Sequence, residues 1–254
     1  LICSIRNTLH RKLYSVKYRS NLQTKEGLFM NNHRKISITA GALYLLTFVS
    51  IPTLTLYTQA KSGDYIVSSG SDSAAMLGVL LEVVIAVAGI STAVVLYPIL
   101  KRQSQTLALG LVAARIVESC AILLGAAMIL TIIQLHQGTV HAASLPVSQA
   151  LANLYDKIFL LSQSFVPAIC DLLLGYMFFK SRLVPRTLAV VGILGAPLLI
   201  ASYLAVLFGV IEQHSALAGL SAIGVALFEF SLGLWLLIKG FNKKAIAKLM
   251  EVKS

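Results

Sequence analysis

Apolar positions in this chain do not recur at helical or strand spacing against a polar background. They fill long unbroken runs separated by short polar segments. Six runs can be read: Ile36–Tyr57, Ala75–Leu100, Leu107–Gln134, Ile158–Phe179, Thr187–Ile211 and Ala216–Ile238. Each reaches the roughly 20 residues that a helix needs to cross a bilayer. A helix on a soluble core is shorter and keeps a polar face, whereas these runs are apolar around the whole circumference apart from single charges. The pattern predicts an all-α polytopic membrane protein, a bundle of six transmembrane helices. Pro52, Pro98, Pro167 and Pro197 fall within or near the ends of runs. Membrane helices tolerate proline because neighbouring groups satisfy the freed carbonyl. These prolines read as kinks, with Pro167 or Pro197 as the place for a hinge if one exists.

The connections set the orientation. With the N-terminus inside, the inner segments hold eighteen Lys and Arg residues, and the outer ones hold two, Lys61 and Lys157. Basic residues concentrate on the cytoplasmic side of membrane proteins, so both termini are expected in the cytoplasm. Residues 1–29 are basic and nearly free of acids, with a superficial likeness to an organellar transit peptide. Met30, followed by Asn31-Asn-His-Arg-Lys35 and an apolar run, reads better as a natural start. That makes 1–29 an upstream extension or basic tail, 30–241 the transmembrane domain and 242–254 a basic cytoplasmic tail. Residues 58–74 read as a polar outer loop. Val147 to Tyr155 shows helical spacing, either as an interfacial turn or as an early start to the fourth span.

Composition sharpens this picture. Of 254 residues, 57% are hydrophobic and 12% charged, with mean hydropathy +0.82. A soluble domain carries about 25% charged residues. A net charge of +11 would suit a nucleic-acid partner, but the cations lie between apolar runs, so the expected partner is the lipid bilayer. Cys3, Cys120 and Cys170 are too sparse for a disulfide framework.

The candidate chemistry lies inside the runs. Arg115 and Glu118 are the only charges from Leu107 to Gln134 and share one helix face at i, i+3. Counted from the inner edge at 1.5 Å per residue, Arg115, Glu118, Asp171 and Glu229 all fall about 12–17 Å deep, near the middle of a core about 30 Å thick. Tyr44 reaches the same level, whereas Glu82 lies nearer the outer face. Ionisable residues at that depth face partners or a cavity. Two readings of this layer are open: a site for a small solute, ion or proton, and a structural network that fixes helix packing. His136 and His141, five apart with no third ligand nearby, do not read as a metal site. No nucleophile–base arrangement, Gly-x-Ser-x-Gly or phosphate-binding glycine loop appears, so neither an enzyme nor a cofactor is expected. Gly192-x-x-Gly195 and Gly219-x-x-x-x-Gly224 suit close helix packing.

Three stretches carry a resemblance. They are Leu96-Tyr-Pro-Ile-Leu-Lys-Arg102 with Arg115-x-x-Glu118; Leu174-Gly-Tyr-Met-Phe-Phe-Lys-Ser-Arg-Leu-Val-Pro-Arg186 with Gly195-Ala-Pro197; and Glu229-Phe-Ser-Leu-Gly-Leu-Trp235 with Lys239-Gly-Phe241. Together they resemble a bacterial family of small six-span membrane proteins catalogued as domain of unknown function 4386, from about Ile36 to Phe241. The Ser-Arg-Leu-Val-Pro-Arg loop is its most specific part. The resemblance implies the fold and a bacterial inner-membrane address, and it carries over no activity or site residue.

Overall fold

The structure is a computed structural model that describes residues 32–138 and 141–251. The 1–29 segment lies outside the described residues. Within them the chain is all helix, turn and loop, with no strand. Helix α1 covers 32–47 and a short α2 covers Thr53–Leu56. Then come α3 (Ser73–Gln103), α4 (Gln105–His136), α5 (His141–Leu160), α6 (Val166–Ser181), α7 (Arg186–Leu207), α8 (Ala216–Ile238) and α9 (Lys243–Glu251).

Among the described residues, five helical stretches are long and apolar enough to cross a membrane: Ser73–Gln103, Gln105–His136, Ala143–Ser181, Arg186–Leu207 and Ala216–Ile238. The first apolar run departs from the single helix expected of it. After α1 the backbone tightens into a 3-10 turn at Phe48–Ser50, and α2 follows Pro52. Pro52 has no N–H to give the carbonyl of Phe48, and its ring crowds that carbonyl. The Ile51 N–H bonds it instead at 3.2 Å.

The fourth run starts early. α5 and α6 form one 39-residue stretch from Ala143 to Ser181, joined by a π turn at Leu161–Phe165. At about 58 Å it is longer than a bilayer core is thick. Pro167 explains the π turn: its ring would collide with the carbonyl of Gln163, four residues back. An extra residue in the turn relieves the clash.

The perimeter of the bundle is apolar, unlike that of a soluble one. Large apolar side chains such as Val87, Val117, Leu194, Leu198 and Leu220 are more than half exposed. Small and polar residues are buried between helices alongside large apolar ones. Lipid is as apolar as leucine, so close backbone approach and interhelical hydrogen bonds hold the helices together. α7 and α8 meet at Gly195, where an added Cβ would lie 2.7 Å from the carbonyl carbon of Gly224. Gly192 lies under the ring of Phe228. Gly219 does not take part, since nothing lies within 4 Å of the Cβ it lacks. α3 and α4 form a hairpin with Ser104 alone between them, and the Ser104 Oγ caps α4 by accepting from the Leu107 N–H. Higher up, the Ser119 hydroxyl donates to the Ala86 carbonyl at 2.8 Å.

The two largest apolar cores lie at opposite ends. One, with Leu96, Ile99, Leu174, Phe178 and Phe228, lies toward the α3–α4 turn. The other, with Tyr57, Tyr65, Ile129, Ile132 and Tyr155, lies at the far end. At that far end Asp72 accepts from the Tyr65 hydroxyl, from Gln137 Nε2 at 2.7 Å, and lies 2.7 Å from His136 Nδ1. His136 is thus committed to Asp72 and to the Ser68 carbonyl at 2.9 Å. The side chain of His141 lies outside the described ones.

Burial pushes the Asp72 carboxyl upward, but these hydrogen bonds outweigh it and hold the group below the usual carboxylate range. The native state therefore binds this proton more weakly than the unfolded one. The contribution to stability is complete above about pH 4 and is lost as pH falls through the native value. Asp72→Asn is expected to lower the melting temperature near neutral pH and to converge on the parent protein in acid. An equal gap at both would show that the charge of Asp72 does not matter.

Candidate functional site

Between the two apolar cores lies a polar layer. Arg115 in α4 is buried, and its guanidinium is shared between two helices. Nη1 donates to both oxygens of Glu118 at 3.1 Å, one turn further along α4. Nη2 donates to Glu229 of α8. The helical i, i+3 spacing places the first partner. The second is long-range and ties α4 to α8. Tyr44 of α1 covers the guanidinium from one side, with its ring centroid 5.7 Å from the Arg115 Cζ. The Cys170 thiol of α6 donates to Glu118 at 3.7 Å. Asp171, the next residue, is fully buried beside Glu229 and within electrostatic reach of Arg115 and Glu118. Neither of its oxygens meets strict hydrogen-bond geometry with a partner, nor do Arg115 Nε and the Tyr44 hydroxyl.

All five residues picked from depth alone therefore converge, from helices α1, α4, α6 and α8. The layer counts three carboxyls against one guanidinium. With all of them ionised it would carry two surplus negative charges, which a buried site does not hold bare. Bound protons or a cation have to make up the difference.

Glu82 belongs to a separate cluster. It is buried in α3 and accepts from the Tyr155 hydroxyl at 2.6 Å. The Tyr57 hydroxyl faces the same carboxyl. Tyr57 and Tyr155 pack edge to face at 5.4 Å. Beside them Lys61 pairs with Asp156, with its ammonium 5.1 Å from the centroid of the Tyr155 ring.

Two cavities border these clusters. The inner one, about 190 Å³, is lined by Arg115, Glu118, Glu229, Ser119 and Gln163 among apolar neighbours. The outer one, about 630 Å³, is lined by Lys61, Tyr155, Asp156, Tyr203 and His214 among others. Gln163, Leu199 and Ala222 line both, so the cavities adjoin at the π turn. π turns recur at functional sites. Sequence reading passed over Gln163. The signal was there: the polar triplet Ser162-Gln-Ser164 interrupts an apolar run one turn before Pro167.

Apolar helices with exposed aliphatic perimeters, packed through small residues around a buried ion-pair cluster, define a helical membrane protein. Within that class the chain belongs to the family described as a domain of unknown function, DUF4386, whose model matches residues 39–240. No curated protein and no solved structure matches it.

Proposed function

We propose that this protein binds or passes a small solute or ion at the Arg115 cluster, entered from the outer cavity through the neck at Gln163. The adjacency of the two cavities carries this reading, because it sets the buried charged cluster beside a larger cavity that reaches one end of the bundle. The surplus of carboxyls over guanidinium favours a positively charged cargo or a proton. Residues 32–57 count as the first of six spanning units, broken at Pro52. Both termini then lie in the cytoplasm of a bacterium, around its inner membrane. The strong basic excess at the α3–α4, α6–α7 and C-terminal ends supports that orientation. The competing reading, a structural or interaction protein whose buried charges only hold the bundle together, draws support from the double pairing of Arg115 with Glu118 and Glu229.

Accessibility separates the two. With Cys3, Cys120 and Cys170 replaced, a single cysteine at Gln163 is expected to react with a membrane-impermeant thiol reagent applied from the outer side. A cysteine at Leu124, half-exposed on the apolar perimeter, is expected to stay unreactive. A Gln163→Cys protein as inert as the Leu124→Cys control leaves the cluster sealed and the structural reading standing.

A further inference from the structure

Two of the three stretches that carry the family resemblance also come together away from the Arg115 cluster, at the basic end. The Ser181–Arg186 loop between α6 and α7 and the Lys239-Gly-Phe241 turn after α8 form two walls of one pocket, about 540 Å³. The Asn242 N–H bonds the Leu183 carbonyl at 2.8 Å and joins the walls. Three cations line the pocket, Arg182, Arg186 and Lys239, and no carboxylate does. None of the three forms an ion pair with a described residue. Trp235 and Phe241 supply an apolar floor. Ile238, 64% exposed, continues it onto the flank of α8.

The backbone at one position adds to this. Arg182 ends α6 in the left-handed conformation, with φ 57°. Where a helix ends in this conformation the residue is usually glycine, sometimes asparagine; here an arginine occupies it at a steric cost. The N-terminus of α7 opens beside it with no side-chain cap.

The geometry points to a site for a net-anionic phosphate group, held by Arg182, Arg186 and Lys239. The ligand is the headgroup of an anionic phospholipid, whose acyl chains would lie along α8, or a free phosphate. Lys and Arg clusters in pockets between membrane helices suit this chemistry. The site shares no residue with the Arg115 cluster and stands or falls independently of it.

Trp235 is the sole tryptophan of the chain, so its emission reports the pocket directly. The full-length protein in a neutral detergent would be titrated with dioctanoyl phosphatidylglycerol, dioctanoyl phosphatidylcholine and inorganic phosphate. A saturable change with the anionic lipid and none with the zwitterionic one is expected. High salt is expected to weaken it. The R182Q/R186Q/K239Q variant is expected to raise the apparent Kd roughly 100-fold, about fivefold per cation, at an unchanged melting temperature. Should that variant fail to fold, R186Q alone serves, with about a fivefold loss. Inorganic phosphate matching the anionic lipid would support the site and assign it to free phosphate. An equal response to phosphatidylcholine, or an R186Q protein that binds as the parent does, would overturn it.

Discussion

Replacing Glu118 and Glu229 together by glutamine is expected to destabilise the protein by about 2.5–5 kcal/mol. At this chain length that corresponds to a drop of about 5–20 °C in melting temperature. The reason is an asymmetry between the two signs of charge. Arg115 donates to both carboxylates, and a guanidinium cannot shed its proton in a protein. Without the two acids it keeps its charge in an apolar setting, with Asp171 as the remaining acid of the layer. The converse change, Arg115→Gln, leaves three carboxyls that can each become neutral by taking up a proton. It is therefore expected to cost less than the double acid variant, even though it removes the hub of the cluster. Combining R115Q with E118Q/E229Q is expected to recover part of the loss. Double-mutant cycles of Arg115 with each acid give the test. Coupling beyond about 0.5 kcal/mol marks a network, whereas additive losses mark independent sites. If R115Q proved as damaging as the double acid variant, the asymmetry would be absent and the cluster would not be an ion-pair network.

Depth along a helix was legible in the sequence because the bilayer fixes a length scale. Counting residues from Leu107, Lys180 and Lys239 places Arg115, Asp171 and Glu229 at one level, and these residues do gather. Azimuth was not legible. A run that is apolar all round gives no phase, so nothing in the sequence chose Glu229 over Asp171 as the second partner of Arg115. The same lack of phase hid the neighbours of Glu82, which meets Tyr155 from α5. Backbone irregularity was half-legible. Pro167 signals that its helix cannot continue undisturbed, but whether it kinks, ends or inserts a residue depends on packing. Likewise Pro52 lies inside an apolar run of spanning length, yet the backbone breaks there. A glycine, finally, carries no sign of what it faces. Gly219 and Gly195 look equivalent in the sequence, but one lies in open space and the other against a helix backbone.

That last contrast bears on α1, the helix whose role as a spanning element depends on its neighbours. At 16 residues it is shorter than the other candidates, and α8 holds it. Arg34 donates to the carbonyls of Leu236, Leu237 and Ile238, satisfying the end of α8. Ser37 donates to the Leu236 carbonyl as well. One turn on, Gly41 presses on α8 so closely that an added Cβ would lie 2.6 Å from the Leu237 nitrogen and 2.7 Å from the Gly233 oxygen. Both are backbone atoms, so no rotamer change relieves the clash and the helices must separate. Gly41→Val is therefore expected to cost about 1–3 kcal/mol for overpacking. The strained Arg34 and Ser37 bonds add about 1 kcal/mol each. Because Tyr44 lies one turn beyond Gly41, the same displacement draws its ring away from Arg115. A G41V protein is thus expected to melt several degrees lower, and also to lose part of the coupling between Tyr44 and Arg115 in a double-mutant cycle. Gly219→Val in α8 provides the matched control and is expected to leave both readouts unchanged. A G41V protein indistinguishable from G219V would mean that α1 does not seat on α8 through this glycine.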